Sequence, residues 1–371
     1  MNIKCKVSYA VLFLSAIVFA DVYKFNVMAQ SPYIIVDYIK ANEKDSPISF
    51  MLEVNDEPLI SVNPFTKMPL ASTFKLTLAV EYARQVGEKM LKPHAKVDID
   101  TIEQYYLPKI DGDAHLKWLE YIEENNLLQN DSISISEVVK GMVMFNSDAN
   151  TDFLMNYLGI ENINATIRTL GLRDHSEVYP IGGALAIADY INLKENLSET
   201  ELEKRITKMT NREYINQAII IQDLMNTNSL PSEVKNAKIA TSNFDIQQIW
   251  IDRFISATAN DYMSLLDIIN SRTYFNKDAQ DELNHVLEYL VYDPIIEENL
   301  NHFGFKNGNI SGVLTDARYA EDKEGNKIEI VLMMNDLSQK DYNTILNNID
   351  QFMMRCILDE NFRDKVVTML N

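Results

Sequence analysis

The chain has 371 residues, 46% hydrophobic and 24% charged, the composition of a globular protein long enough to bury a large core. Its formal net charge of −20 argues against nucleic acid and against anionic membrane surfaces as partners, since both need cationic side chains. Five scattered histidines without metal-ligand spacing, 11 glycines without a phosphate loop and two cysteines give no support to a metal or any other cofactor.

The N-terminus reads as a secretory signal covering residues 1–29. Lys4 and Lys6 precede the uncharged run Val7–Ala20, whose 14 residues are too few to cross a bilayer and suit a signal h-region. Cleavage after Ala29 is expected, with Ala20 as the second candidate, and the weaker alternative is an uncleaved anchor. The expected product is exported, periplasmic or extracellular, with no stable membrane association. Cleavage after Ala29 shifts the net charge to −22 and leaves Cys356 alone, so the mature chain must hold together by packing without an internal disulfide.

In chain order, Pro32–Asn42 predicts a short helix. Ile48–Val54 and Leu59–Val62, joined by the turn Asn55–Pro58, predict a hairpin. The stretch "PLASTFKLTLAVEYA", Pro69–Ala83, predicts an apolar helix opened by Ser72. From about Val86 to Glu298 the pattern is mostly helical, including Val138–Met144, Thr151–Leu158, Ala257–Ile269 and Asp278–Tyr292. Residues 192–252 read as a charged helical elaboration on the surface. The period then changes to strands at Phe303–Lys306, Val313–Ala320 and Lys327–Met334, with a turn at Asp322–Asn326 and a final helix over Lys340–Leu358. The fold class is therefore α/β plus all-α: an antiparallel sheet built by both chain ends (30–75 and 299–371) with a helical domain (76–298) inserted between them. A crevice between the two is the expected place for a site.

Ser72 and Lys75 stand three residues apart, on one face of a helix. A serine hydroxyl needs a neighbouring base to become a nucleophile, and an apolar setting favours the neutral amine of a lysine. Such a pair arises by chance in a chain of this length, as at Ser232 and Lys235, and the plain alternative is a helix cap with a snorkelling lysine. Two further words stand in order behind it: Asn146-Ser147-Asp148-Ala149-Asn150 between two helices, and Lys306-Asn307-Gly308 on a late strand.

This ordered set resembles the class A β-lactamase and penicillin-recognising serine hydrolase family, with its S-x-x-K, S-D-N and K-T-G motifs. The resemblance covers nearly all of the chain beyond the signal and implies a β-lactamase/transpeptidase-like fold. It implies Ser72 as the acylated nucleophile, Lys75 as its base or proton relay, Ser147 as the proton donor to the leaving nitrogen, and Lys306 as the group that orients Ser147. It also implies an oxyanion hole from the backbone N–H groups of Ser72 and Asn309, with Asn150, Asn307 and Gly308 at the substrate. The second motif departs from the family at Ala149 and the third at Asn307. Glu177 is the only acid near the middle of the loop where the family carries its water-activating glutamate, and a solvated loop carboxylate is the plain alternative for it.

What the resemblance implies is an exported serine hydrolase acting on a small-molecule or peptide amide or ester through a covalent acyl-enzyme, with β-lactam hydrolysis among the reactions it allows. The alternatives are a D,D-peptidase or penicillin-binding-like protein with slow deacylation, and a non-catalytic binding protein on the same scaffold.

Overall fold

Ile48–Val54 alternates only loosely because both of its faces are covered. A computed structural model describes residues 31–371 except 45 and 291, so the expected signal segment lies outside the described residues. Ile48–Val54 (β1) sits inside a five-stranded antiparallel sheet with Glu57–Val62 (β2), Leu300–Ile310 (β3), Val313–Asp322 (β4) and Lys327–Met334 (β5), in the order β2-β1-β5-β4-β3. Ile48, Phe50 and Leu52 point into one core with Ile330 and Leu332, while Met51 joins the other core with Val331 and Met333. Apolar residues on both faces are what a doubly covered strand needs.

One face is packed by Ile34–Asn42 and by three C-terminal helices, Gln339–Leu346, Ile349–Leu358 and Glu360–Leu370. The expected single helix Lys340–Leu358 breaks at Asn347-Asn348, a poor helix-forming pair, and Asp359 caps a further helix by accepting from Phe362 N at 3.0 Å. The other face carries the helices Lys75–Gly87 and Ala259–Ser271 and the larger helical core. The helix expected over Asp278–Tyr292 ends at Leu287.

The elaboration expected at 192–252 belongs to a longer excursion, closed at its neck. Ser176 N donates to Ser256 O at 2.7 Å, and Ser256 N donates to Ser176 Oγ at 2.8 Å. Ser256–Ala257 then pairs with Met68–Pro69, directly ahead of Ser72. The chain between those two serines therefore leaves and re-enters the fold beside the candidate nucleophile. Among the described residues no helix is long and apolar enough to cross a membrane.

Candidate active site

Ser72 sits in a single 3₁₀ turn, Ala71–Phe74, and the α-helix begins only at Lys75. Two tethers set that turn. Leu70 N donates to Ile255 O at 2.9 Å, and Thr315 on β4 donates its hydroxyl to Leu70 O at 2.7 Å while lying 2.6 Å from Thr73 Oγ1. Ala71 is held at φ 44°, a left-handed conformation that costs a residue with a Cβ roughly 1–3 kcal/mol and recurs where geometry is enforced by the surroundings. Gly308 on β3 presses against the same turn: a Cβ there would stand 2.3 Å from Ser72 N and 2.8 Å from Thr73 N. The strand is longer than Phe303–Lys306, and so carries all of Lys306, Asn307, Gly308 and Asn309 past the serine.

Both lysines are buried and aimed at one short segment. Lys75 Nζ donates to Asn146 O and to Asp148 Oδ1, each at 2.8 Å. Lys306 Nζ donates to Asn146 Oδ1 and, at 2.7 Å, to Asn307 O. Burial, and then the charge of Lys75, push the Lys306 ammonium well below its ordinary pKa. Among the described residues Ser72 Oγ has no hydrogen-bond partner, so the expected contact between the Ser72 hydroxyl and the Lys75 amine is not formed here.

Ser147 does not reach the cleft. It is the N-cap of the helix Asp148–Leu158, and its Oγ accepts from Asn150 N at 3.2 Å. The same oxygen lies 2.9 Å from Asn150 Oδ1 and 2.9 Å from His115 Nδ1, in a fully buried pocket. Asn150 is committed as well, donating Nδ2 to Val138 O at 3.0 Å with none of its surface exposed. These positions correct the expectation that Ser147 faces Lys306 and that Asn150 touches substrate. The residues that meet the lysines are their neighbours Asn146 and Asp148. Asn146 takes φ 66°, a left-handed value that asparagine tolerates well. A sequence signal existed: a serine opening a helix, with Asn150 at N3, is a cap whose oxygen is already in use.

Side chains alternate along β3. Lys306 and Gly308 face the helical lobe, whereas Asn307 and Asn309 face the C-terminal helices, where Asn309 Oδ1 accepts from Tyr342 Oη at 3.2 Å. Asn309 still borders the cleft at the strand edge, but Asn307 is absent from its lining, against the expectation that Asn307 binds substrate. Glu177 is exposed and also stands outside the lining, so the loop acid is a solvated carboxylate in this geometry.

The cleft encloses about 750 Å³, open to solvent, and three aspartates that the sequence reading did not single out lie on its wall beside Ser72 and Asn146. Burial, with the charge of Asp148 next, raises Asp111 to about 6. Burial raises Asp152 to about 7, against the pull of the backbone donors Gly182 N at 2.8 Å and Ile181 N at 3.0 Å, which tie the excursion to the cleft floor. The lining also has an apolar and aromatic part, with Trp250, Phe254, Leu185 and Ile310.

A model of the beta-lactamase enzyme family matches residues 34–351. Among solved structures, the chain is similar to a beta-lactamase from Sphaerobacter thermophilus DSM 20745 at 13% identity and TM-score 0.53, covering 87% of this chain and 97% of that one. A beta-lactamase from Chitinophaga pinensis DSM 2588 is similar at 14% identity and TM-score 0.51, covering 88% and 100%. The L158E mutant of PBP-A, solved as an acyl-enzyme complex with penicillin G, is similar at 13% identity and TM-score 0.50, covering 88% and 95%. At these identities the structures speak for the fold alone. No curated protein matches the chain.

Proposed function

The chain belongs to the beta-lactamase enzyme family, and from that premise we propose that it is an exported serine hydrolase that works through an acyl-enzyme on Ser72. In the proposed step Ser72 Oγ bonds to the acyl carbon, the bond to the leaving group breaks, and the serine proton ends on that leaving group. Water then returns the serine and releases the acid. The Ser72 and Asn309 N–H groups are the proposed oxyanion donors. The observation that carries this reading is the contact of Gly308 with the Ser72 turn, which sets the edge of β3 beside the serine at backbone distance.

The leaving group is proposed to be ester-like rather than amide-like. An expelled amine needs a proton, and the side chain that meets Lys306 is the Asn146 carboxamide, a poor proton relay. With Glu177 outside the cleft, slow deacylation is expected, as in a penicillin-binding acyl-enzyme. Asn146 and the Lys75–Asp148 pair also favour a second reading, a binding protein that retains the scaffold without turnover.

The two readings separate by intact-mass spectrometry after exposure to a thioester and a β-lactam, with Ser72→Ala as control. The hydrolase reading expects an adduct on Ser72 that the control lacks. Absence of any adduct, under conditions that label a related serine enzyme, leaves only the binding reading.

A further inference from the structure

The excursion between Ser176 and Ser256 supplies a wall of the cleft as well as surface bulk. Ile181, Gly182, Leu185, Trp250 and Phe254 all come from it. Trp250 packs edge-on against Phe254 with ring centroids 4.9 Å apart, and Phe254 packs edge-on against Phe74 at 6.0 Å. An aromatic ladder thus runs outward from the turn that holds Ser72. Beyond it lies a second, smaller cavity of about 310 Å³, open to solvent, which shares Leu185, Trp250 and Ile310 with the first. Its remaining lining is Ala240, Thr241, Gln247, Ile251 and Ser311, and none of these described residues is charged. The aspartates all lie on the inner cleft.

We propose that these neighbouring cavities together form an acyl-group pocket, and that the excursion selects substrates whose acyl part is apolar and at least as large as one aromatic ring. This rests on the acyl-enzyme reading and names its substrate class. The argument is one of solvation. An uncharged aryl group replaces water against Trp250, Leu185 and Ile310 at a gain, whereas a carboxylate there finds no cation among the lining residues. An acetyl group is too short to use the ladder.

The experiment times labelling of Ser72 by three thioesters of one thiol, carrying acetyl, phenylacetyl or biphenylacetyl; the thiol leaves with the serine proton. The wild type is expected to take phenylacetyl and biphenylacetyl at least about tenfold faster than acetyl, the discrimination an apolar pocket can supply. Trp250→Ala is expected to reduce that ratio at least about threefold. Thr241→Phe, which fills the outer cavity from a half-buried position and keeps Trp250, is expected to slow biphenylacetyl at least about tenfold relative to phenylacetyl. Should Trp250→Ala fail to fold, Thr241→Phe still reads the pocket. Equal labelling of the three esters by the wild type, or ratios unmoved in the variants, overturns the pocket and leaves the acyl-enzyme standing. No label on Ser72 from any ester overturns both.

Discussion

Gly308 and Ser72 meet backbone to backbone: the space a Cβ would need on Gly308 is already occupied, 2.3 Å away, by the Ser72 nitrogen. That nitrogen belongs to the proposed oxyanion hole. Backbone cannot swing aside as a flexible side chain can, so Gly308→Ala must push β3 and the 3₁₀ turn apart. The expected cost is about 1–3 kcal/mol of stability, as for other overpacked sites. The expected loss of acylation is larger, at least about a hundredfold, because oxyanion donors act over a narrow range of distance. Thermal melts and timed labelling of Ser72 measure the two separately. A variant that melts low but labels at the wild-type rate would show that the Gly308 contact is structural only.

Asn146 holds the position between the two lysines where the family resemblance calls for a hydroxyl. Asn146→Ser would give Lys306 a partner able to pass a proton, at a cost of about 1 kcal/mol for placing serine in the left-handed backbone. Labelling by a β-lactam, whose leaving atom is nitrogen, should rise at least about tenfold relative to labelling by a thioester. The thioester serves as the internal reference because its sulfur is expelled as a thiolate and takes up the serine proton only afterwards, so no proton donor is needed as the bond breaks. An unchanged ratio would mean that proton delivery to the leaving group does not limit the reaction.

Ser147 gives the opposite expectation. Its hydroxyl caps a helix and packs against His115 and Asn150, out of reach of substrate. Ser147→Ala should cost about 0.5–2 kcal/mol in a urea melt. Ser72 labelling should stay within about twofold of wild type, where loss of a general acid would cost about a hundredfold or more. A hundredfold loss in a folded Ser147→Ala protein would restore Ser147 to the chemistry.

The hairpin and the three late strands were legible because apolar patterning is a local property, and the sheet they form follows from their placement at both chain ends. Ser72, Lys75 and Lys306 were legible as spaced words. The side chains between them were not, since a one-residue shift at Asn146, Ser147 and Asp148 is decided by which residue caps the helix, not by the letters of the motif. The extent of the excursion was hidden for a similar reason: Ser176 and Ser256 close its neck through one backbone bond and one bond to the Ser176 hydroxyl, and no local pattern announces either. Asp152 gave no signal either, because its role depends on the amides of Ile181 and Gly182, 29 and 30 residues away.

Asp152 makes the pH dependence of the fold testable. Its folded pKa stands at about 7, above the ordinary aspartate value, because burial disfavours the carboxylate more than two backbone donors favour it. The folded chain therefore holds a proton at this site that the unfolded chain has released. Stability contributed by that proton is present below the ordinary aspartate pKa and is lost as pH rises toward about 7. Asp152→Asn removes the titration while keeping one oxygen to accept from the excursion. Urea melts between about pH 4.5 and 7 should show the wild type losing up to about 1.4 kcal/mol more per pH unit than the variant, the value of one proton. Parallel pH profiles for the two proteins would place the Asp152 carboxyl in its ordinary range, with the N–H groups of Ile181 and Gly182 outweighing burial.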